Sequence, residues 1–226
     1  MRTRASGENE QRGNLIVLSA PSGTGKTTLA RRLVASVPRL RVSVSYTTRP
    51  RRRDEQAGSD YHFVDRDTFA DMAEHDDFLE WAEIYGHLYG TGRQATGEIL
   101  AGGFDLLLVI DVQGAEWVRK RDPRALFIFL LPPDYQALLQ RLRRRGTESS
   151  GTEAERLLVA GDEIRAWKEY DFLIVNDDLE TSLAAAEAVI VADRQRRNRM
   201  ETVAEEIAAT FPGAGTVNPD SSRSPE

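Results

Sequence analysis

Eight consecutive residues, Ala20-Pro21-Ser22-Gly23-Thr24-Gly25-Lys26-Thr27, combine three things that phosphate chemistry needs. Glycines allow a tight turn that brings backbone amides close to a ligand. A lysine adds a mobile cation, and the hydroxyl after it can take a hard metal ion. An apolar run at 14–19 precedes the turn, which leads through Thr28 into a helix-like run. Amides at a helix start converge on one point, and the helix dipole favours negative charge there. The turn therefore predicts a nucleoside triphosphate held by residues 20–28, with Lys26 on its β- and γ-phosphates and Thr27 on Mg²⁺. Ala20 stands where the strict pattern has glycine; its methyl is tolerated if φ stays negative.

Two arginine clusters follow, Arg49-Pro50-Arg51-Arg52-Arg53 and Arg141-Leu142-Arg143-Arg144-Arg145. Such cationic spots on a chain of net charge −6 suit small anionic ligands rather than nucleic acid, which needs broad positive charge. Taken alone, the first cluster also reads as a solvated basic loop, and Arg143 and Arg144 as a solvated helix face. His62, His75 and His87 lack metal-ligand spacing and read as structural.

These groups need a scaffold. Apolar runs at 15–19, 106–111, 126–131 and 172–175 read as buried strands, continuous rather than alternating, as in a parallel sheet covered on both faces. Helical patterns at 28–37, 114–121, 134–145 and 179–211 alternate with them, which argues for an α/β fold. Ligands of such sheets sit at the carboxyl ends of the strands, so the turn and Asp111 should face one crevice. Residues 44–92 interrupt the alternation and read as an inserted lobe of small strands with a helix at 67–75. The polar stretch 146–154 suggests a mobile lid, and 1–13 and 212–226 read as disordered tails.

At 226 residues, 40% apolar and 29% charged, the chain has the composition of a soluble globular protein. No apolar run approaches the ~20 residues that span a bilayer, and the start lacks a secretory apolar segment. With no cysteine there are no disulfides or thiolate chemistry, and a cytoplasmic location is expected.

Five further segments narrow the reading. They are Ser45-Tyr46-Thr47-Thr48-Arg49-Pro50-Arg51-Arg52, Phe78-Leu79-Glu80-Trp81-Ala82-Glu83 with Tyr85 to Thr91, Val109-Ile110-Asp111-Val112-Gln113-Gly114, Arg141 to Glu148, and Ile174-Val175-Asn176-Asp177-Asp178. With the Gly-Lys-Thr turn, in this order and spacing, the chain resembles the guanylate kinases over about residues 14–208. The resemblance implies a P-loop NTPase-type three-layer parallel core (14–43, 93–138, 169–211), a mixed α/β GMP-binding lobe (44–92) and a helical lid (139–168). It implies phosphoryl transfer from ATP to GMP with Mg²⁺, and neither nucleic acid nor membrane as partner, by a monomer or homo-oligomer.

Position by position, Arg49, Arg52, Tyr61 and Tyr89 look like the grip on the GMP phosphate. Glu80 and Asp111 look like readers of guanine, whose N1–H and 2-amino groups donate to carboxylates, with Ser45 and Thr91 donating to its O6. Arg145 and Arg156 match the lid arginines over the ATP phosphates; Arg141 and Asn176 are further ATP-side candidates. Lys26, Arg49, Arg145 and Arg156 would carry the catalysis. Two departures stand out: Pro50 and Asp54 alter the turn after the paired threonines, and Val109 replaces a common aspartate, which weakens the expected metal site. Two other classes fit parts of the chain. A peptide-binding scaffold module would lack the loop and the arginines present here. A sugar-phosphate kinase would have no use for Glu80, Ser45 and Thr91.

Overall fold

The computed structural model describes residues 12–144 and 153–212, with backbone alone at 144 and 153–156. In chain order the elements are β1 (Leu15–Ser19), α1 (Lys26–Ser36), β2 (Leu40–Val42), β3 (Ser45–Thr47), β4 (Tyr61–Phe63), α2 (Arg66–Glu74), β5 (Phe78–Ile84) and β6 (His87–Gly92). There follow α3 (Arg93–Ala101), β7 (Asp105–Val109), α4 (Val112–Arg121), β8 (Leu126–Leu131), α5 (Tyr135–Arg144), α6 (Glu153–Glu163), a 3-10 segment (Ile164–Glu169), β9 (Phe172–Val175), α7 (Leu179–Arg194) and α8 (Arg197–Ala209).

Five strands form a sheet in the order β2-β7-β1-β8-β9, and every pairing in it is parallel. The continuous apolar runs occupy its centre: Val17, Leu18, Leu107, Leu108, Leu126, Ile128 and Phe129 are fully buried. Burying each such side chain contributes about 1.5–3 kcal/mol. Helices cover both faces through narrow apolar stripes, Leu29, Ala30 and Leu33 on α1 and Ala115 and Val118 on α4. This is the expected α/β core.

The expected lobe carries a second, mixed sheet in the order β4-β3-β6-β5. Tyr85 and Gly86 have φ of 50° and 75°, so the β5–β6 hairpin turns on two left-handed residues. That geometry matches the twist of the flanking strands. Phe69 of α2 stacks on Phe78 of β5 at 4.4 Å and forms the lobe's own small core.

The chain divides into two compact units, Met1–Glu187 and Ala188–Glu226. In the second, Arg199 pairs with buried Asp193 at 2.8 Å. The helix expected over 179–211 ends at Arg194 and restarts at Arg197. Asp111, expected to end a strand, lies two residues beyond β7 and caps α4 instead. The short strand β2 and helix α3 carried no sequence signal strong enough to predict. Gly13, assigned above to a tail, already donates to the Leu100 carbonyl at 2.8 Å. Residues 1–11, 145–152 and 213–226 lie outside the described residues, so the tails and the polar centre of the lid segment are not part of this description. Among the described residues, no helix is long and apolar enough to cross a membrane.

Candidate active site

The turn between β1 and α1 is shaped by its glycines. Gly23 and Gly25 have φ of 86° and 104°, a region that side chains with a Cβ rarely enter. Ala20 is fully buried and is not among the residues of positive φ, so its methyl brings no backbone strain. Lys26 begins α1 and donates from Nζ to the carbonyls of Ala20 at 2.9 Å and Ile110 at 3.4 Å. Thr27 and Thr28 are exposed in the first helical turn. The turn is braced from outside the loop. Asn176 donates from Nδ2 to the Thr24 carbonyl at 2.6 Å. Arg141 bonds the carbonyls of Thr24 at 3.4 Å and Asn176 at 2.9 Å. Main-chain amides, one lysine and two exposed hydroxyls form a cradle for a polyphosphate.

Asp111 lies beside the cradle. Its Oδ1 accepts from the Gly114 amide at 2.8 Å and caps α4. Burial holds its pKa above the usual carboxylate range, against the Gly114 amide and the Lys26 charge. Glu80 comes from β5. Strand register sets it opposite Thr91 of β6, whose hydroxyl donates to Oε1 at 2.5 Å. Gly114 holds the two carboxylates close together: a Cβ there would sit 2.6 Å from Glu80 Oε2 and 3.3 Å from Asp111 Oδ1. Burial pushes the Glu80 pKa up to about 7, and the Asp111 charge adds to this, against the Thr91 hydrogen bond. Two carboxylates drawn out of water side by side are costly unless something donates to them.

A third group lies along the lobe sheet. Ser45 of β3 is in register with Tyr61 of β4, and Thr47 with Tyr89 of β6. Tyr89 and Thr91 are two residues apart and so share one face of β6. The Tyr61 and Tyr89 rings meet edge to face at 6.1 Å, and Arg49 lies 5.4 Å from the Tyr61 ring centre. Arg49 is 7% exposed and its guanidinium pairs with Glu55 at 2.6 Å. The other Glu55 oxygen accepts from the Arg52 amide at 2.8 Å, which closes the altered turn after Pro50. Burial works against the Arg49 charge, but Glu55 and Tyr89 outweigh it and raise its pKa. The Arg52 side chain is partly exposed beside them.

A chain of contacts joins the three groups: Lys26 reaches the carbonyl before Asp111, Asp111 adjoins Glu80 at Gly114, Glu80 is bonded to Thr91, and Thr91 shares its face with Tyr89. The arrangement can hold two anions, one at each end, with a donor-rich planar group between the carboxylates. Of the other expected residues, Arg145 lies outside the described residues, and of Arg156 only the backbone in α6 is described. Sequence reasoning missed Glu55, whose glutamate three residues beyond Arg52 was visible. It also missed Glu163, whose Oε2 accepts from the Ser22 amide at 3.1 Å from 141 residues away; no local pattern announces that contact.

The guanylate kinase family model matches residues 12–193. A guanylate kinase of Pseudomonas fluorescens is 47% identical over 84% of this chain and 92% of its own length. One from Carboxydothermus hydrogenoformans is 43% identical over 84% of this chain and 93% of its own. The crystal structure of guanylate kinase from Anaplasma phagocytophilum superposes with a TM-score of 0.74 at 32% identity, covering 89% of this chain and 97% of that one. A family model matched over most of the chain, and relatives this similar over nearly their whole length, establish that this chain belongs to the guanylate kinase family.

Proposed function

We propose that this chain transfers the γ-phosphoryl group of ATP to GMP, giving ADP and GDP. The observation that carries this reading is the adjoining pair of buried Glu80 and half-buried Asp111 between a polyphosphate cradle and an arginine–tyrosine cluster. Guanine offers N1–H and a 2-amino group as donors to these carboxylates. Adenine offers an acceptor at N1 and no 2-amino group, and would leave them unpaired. Ser45 would donate to guanine O6, while Thr91, whose one hydroxyl hydrogen goes to Glu80, would hold that carboxylate toward the base rather than donate to O6 as expected, and Arg49, Arg52, Tyr61 and Tyr89 would take the GMP phosphate. On the donor side, amides of residues 20–28 with Lys26 would hold the ATP phosphates, Asn176 and Arg141 keeping the turn in shape.

The acceptor phosphate oxygen then attacks the γ-phosphorus in line. The protein's share is positioning, which can supply roughly 7–11 kcal/mol of the barrier, and charge stabilisation by Lys26 and Arg49. Arg145 and Arg156 would add to that charge from the lid segment 139–168, and closure of that segment with the lobe 44–92 would exclude water.

Among the described residues there is no cluster of three or more His, Cys, Asp or Glu that could hold a metal. Mg²⁺ in phosphoryl-transfer sites takes substrate phosphates and water with few protein ligands, and the exposed Thr27 hydroxyl would be its protein ligand here. When bound it would neutralise charge on the β- and γ-phosphates. We place the reaction in the cytoplasm.

The test is a coupled assay of ADP release with GMP, AMP, CMP and UMP as acceptors. Turnover with GMP alone at low concentration is expected; AMP turned over as fast as GMP would defeat the guanine assignment.

A further inference from the structure

The Glu163 carboxylate has no part in the roles above. It is the last residue of α6, and its Oε2 accepts from the amide of Ser22, the third residue of the phosphate loop, at 3.1 Å. A side-chain anion thus holds an amide of the very turn that faces anions. Burial raises its pKa; the Lys26 charge lowers it and the Asp111 charge raises it further. The same amides and the same lysine are what a polyphosphate would take.

Packing presents this carboxylate. Leu157 and Ala160 of α6 cluster with Leu138 and Leu142 of α5. Leu142 in turn lies against the loop, where a Cβ on Gly23 would come within 2.8 Å of it. An apolar contact and a polar one therefore meet the loop at adjacent residues.

We propose that Glu163 is an internal anion that sets donor affinity, competing with nucleotide phosphates for the loop amides and the Lys26 charge. The proposal rests on the reading of this loop as the donor cradle. Like charges brought into one desolvated cradle oppose each other, so the carboxylate weakens donor binding and gives up its place as the phosphates enter. Because Glu163 ends α6, donor binding releases the polar anchor of that helix on the loop. Were the carboxylate a brace for the loop, its removal would have the opposite sign, loosening the turn and weakening binding.

The experiment is calorimetric titration of sodium tripolyphosphate into wild type, E163Q and E163A, at pH 8 with EDTA, so that no metal contributes. Both variants are expected to bind about tenfold more tightly than wild type at low ionic strength, with the gap narrowing as salt screens the charge. Affinity equal to or weaker than wild type, in whichever variant keeps the wild-type circular-dichroism spectrum, overturns the proposal. Wild type that binds GMP but no tripolyphosphate overturns the donor-cradle reading itself, and this proposal with it.

Discussion

The two ends of the site are built from different materials. The cradle at Ala20–Thr27 is main chain: amides fixed by a turn whose glycines have φ of 86° and 104°, braced by Asn176 and Arg141. The opposite end is side chain: Arg49, Tyr61, Glu80, Tyr89 and Thr91 arrive from β4, β5, β6 and the loop after β3. Amides cannot be mutated away, so the cradle is robust and generic, good for any polyphosphate. Side chains can be changed one at a time, so the far end is specific and fragile. On the proposed function, selectivity and binding strength would belong to separate parts of one crevice.

Mutations can break that division, and the largest effect is expected at the lysine of the cradle. Lys26→Met should lower kcat by about 10³-fold while leaving GMP affinity within a few-fold, read by steady-state kinetics and GMP calorimetry. Equal loss of GMP affinity would show that the two ends are not separable.

Next is Glu80→Gln, expected to lower kcat/KM for GMP by about 10²-fold and leave tripolyphosphate affinity unchanged. The same variant should be more stable at pH 8. The native Glu80 pKa of about 7 exceeds its ordinary 4.5, so between these values the folded protein binds the extra proton and stability falls as pH rises. The carboxylate therefore costs on the order of 3 kcal/mol above pH 7, a cost absent below pH 4.5. Thermal melts of both proteins should converge as pH is lowered through that window.

A subtler separation lies in the pH profile of the wild type. Protonation of Glu80 removes an acceptor that guanine needs, so KM for GMP should rise up to about tenfold from pH 8 to pH 6. KM for ATP should stay nearly flat over that range; parallel profiles would count against the division. The smallest effect is expected from Asn176→Ala. It strips the Thr24 carbonyl of its 2.6 Å partner and should cost about 1–3 kcal/mol of stability in denaturant melts, with GMP affinity intact.

The same contrast explains what could be read from sequence. The cradle was legible because its parts are consecutive and its chemistry follows from Gly, Lys and Thr at fixed spacing. Glu80 and Asp111 were not legible as a pair from their own surroundings; only the resemblance joined them, and the close approach of α4 to β5 at Gly114 shows why they meet. Glu163 was illegible because its partner is 141 residues distant. The break after Arg194 was hidden because no glycine or proline marks it within the polar run 193–199, and the chain leaves helical geometry around Arg196, at φ −58° and ψ 142°.

Helix α4 meets β5 at both of its ends. Gly114 near its start leaves room for Glu80, and Arg121 at its close donates to the Phe78 and Leu79 carbonyls at 2.6 and 2.8 Å and to Asp76 at 3.0 Å. Arg93, at the head of α3, bonds the Phe78 carbonyl at 3.1 Å as well. Mechanically this makes β5 an axle clamped to the core rather than a free edge. Any swing of the lobe has its fulcrum there, and the far strands β3 and β4, with the arginine turn between them, travel the greatest arc. On the proposed roles, Glu80 and Asp111 would then stay nearly still while Arg49 and Tyr61 sweep inward, so the base would be met before the jaw has finished moving.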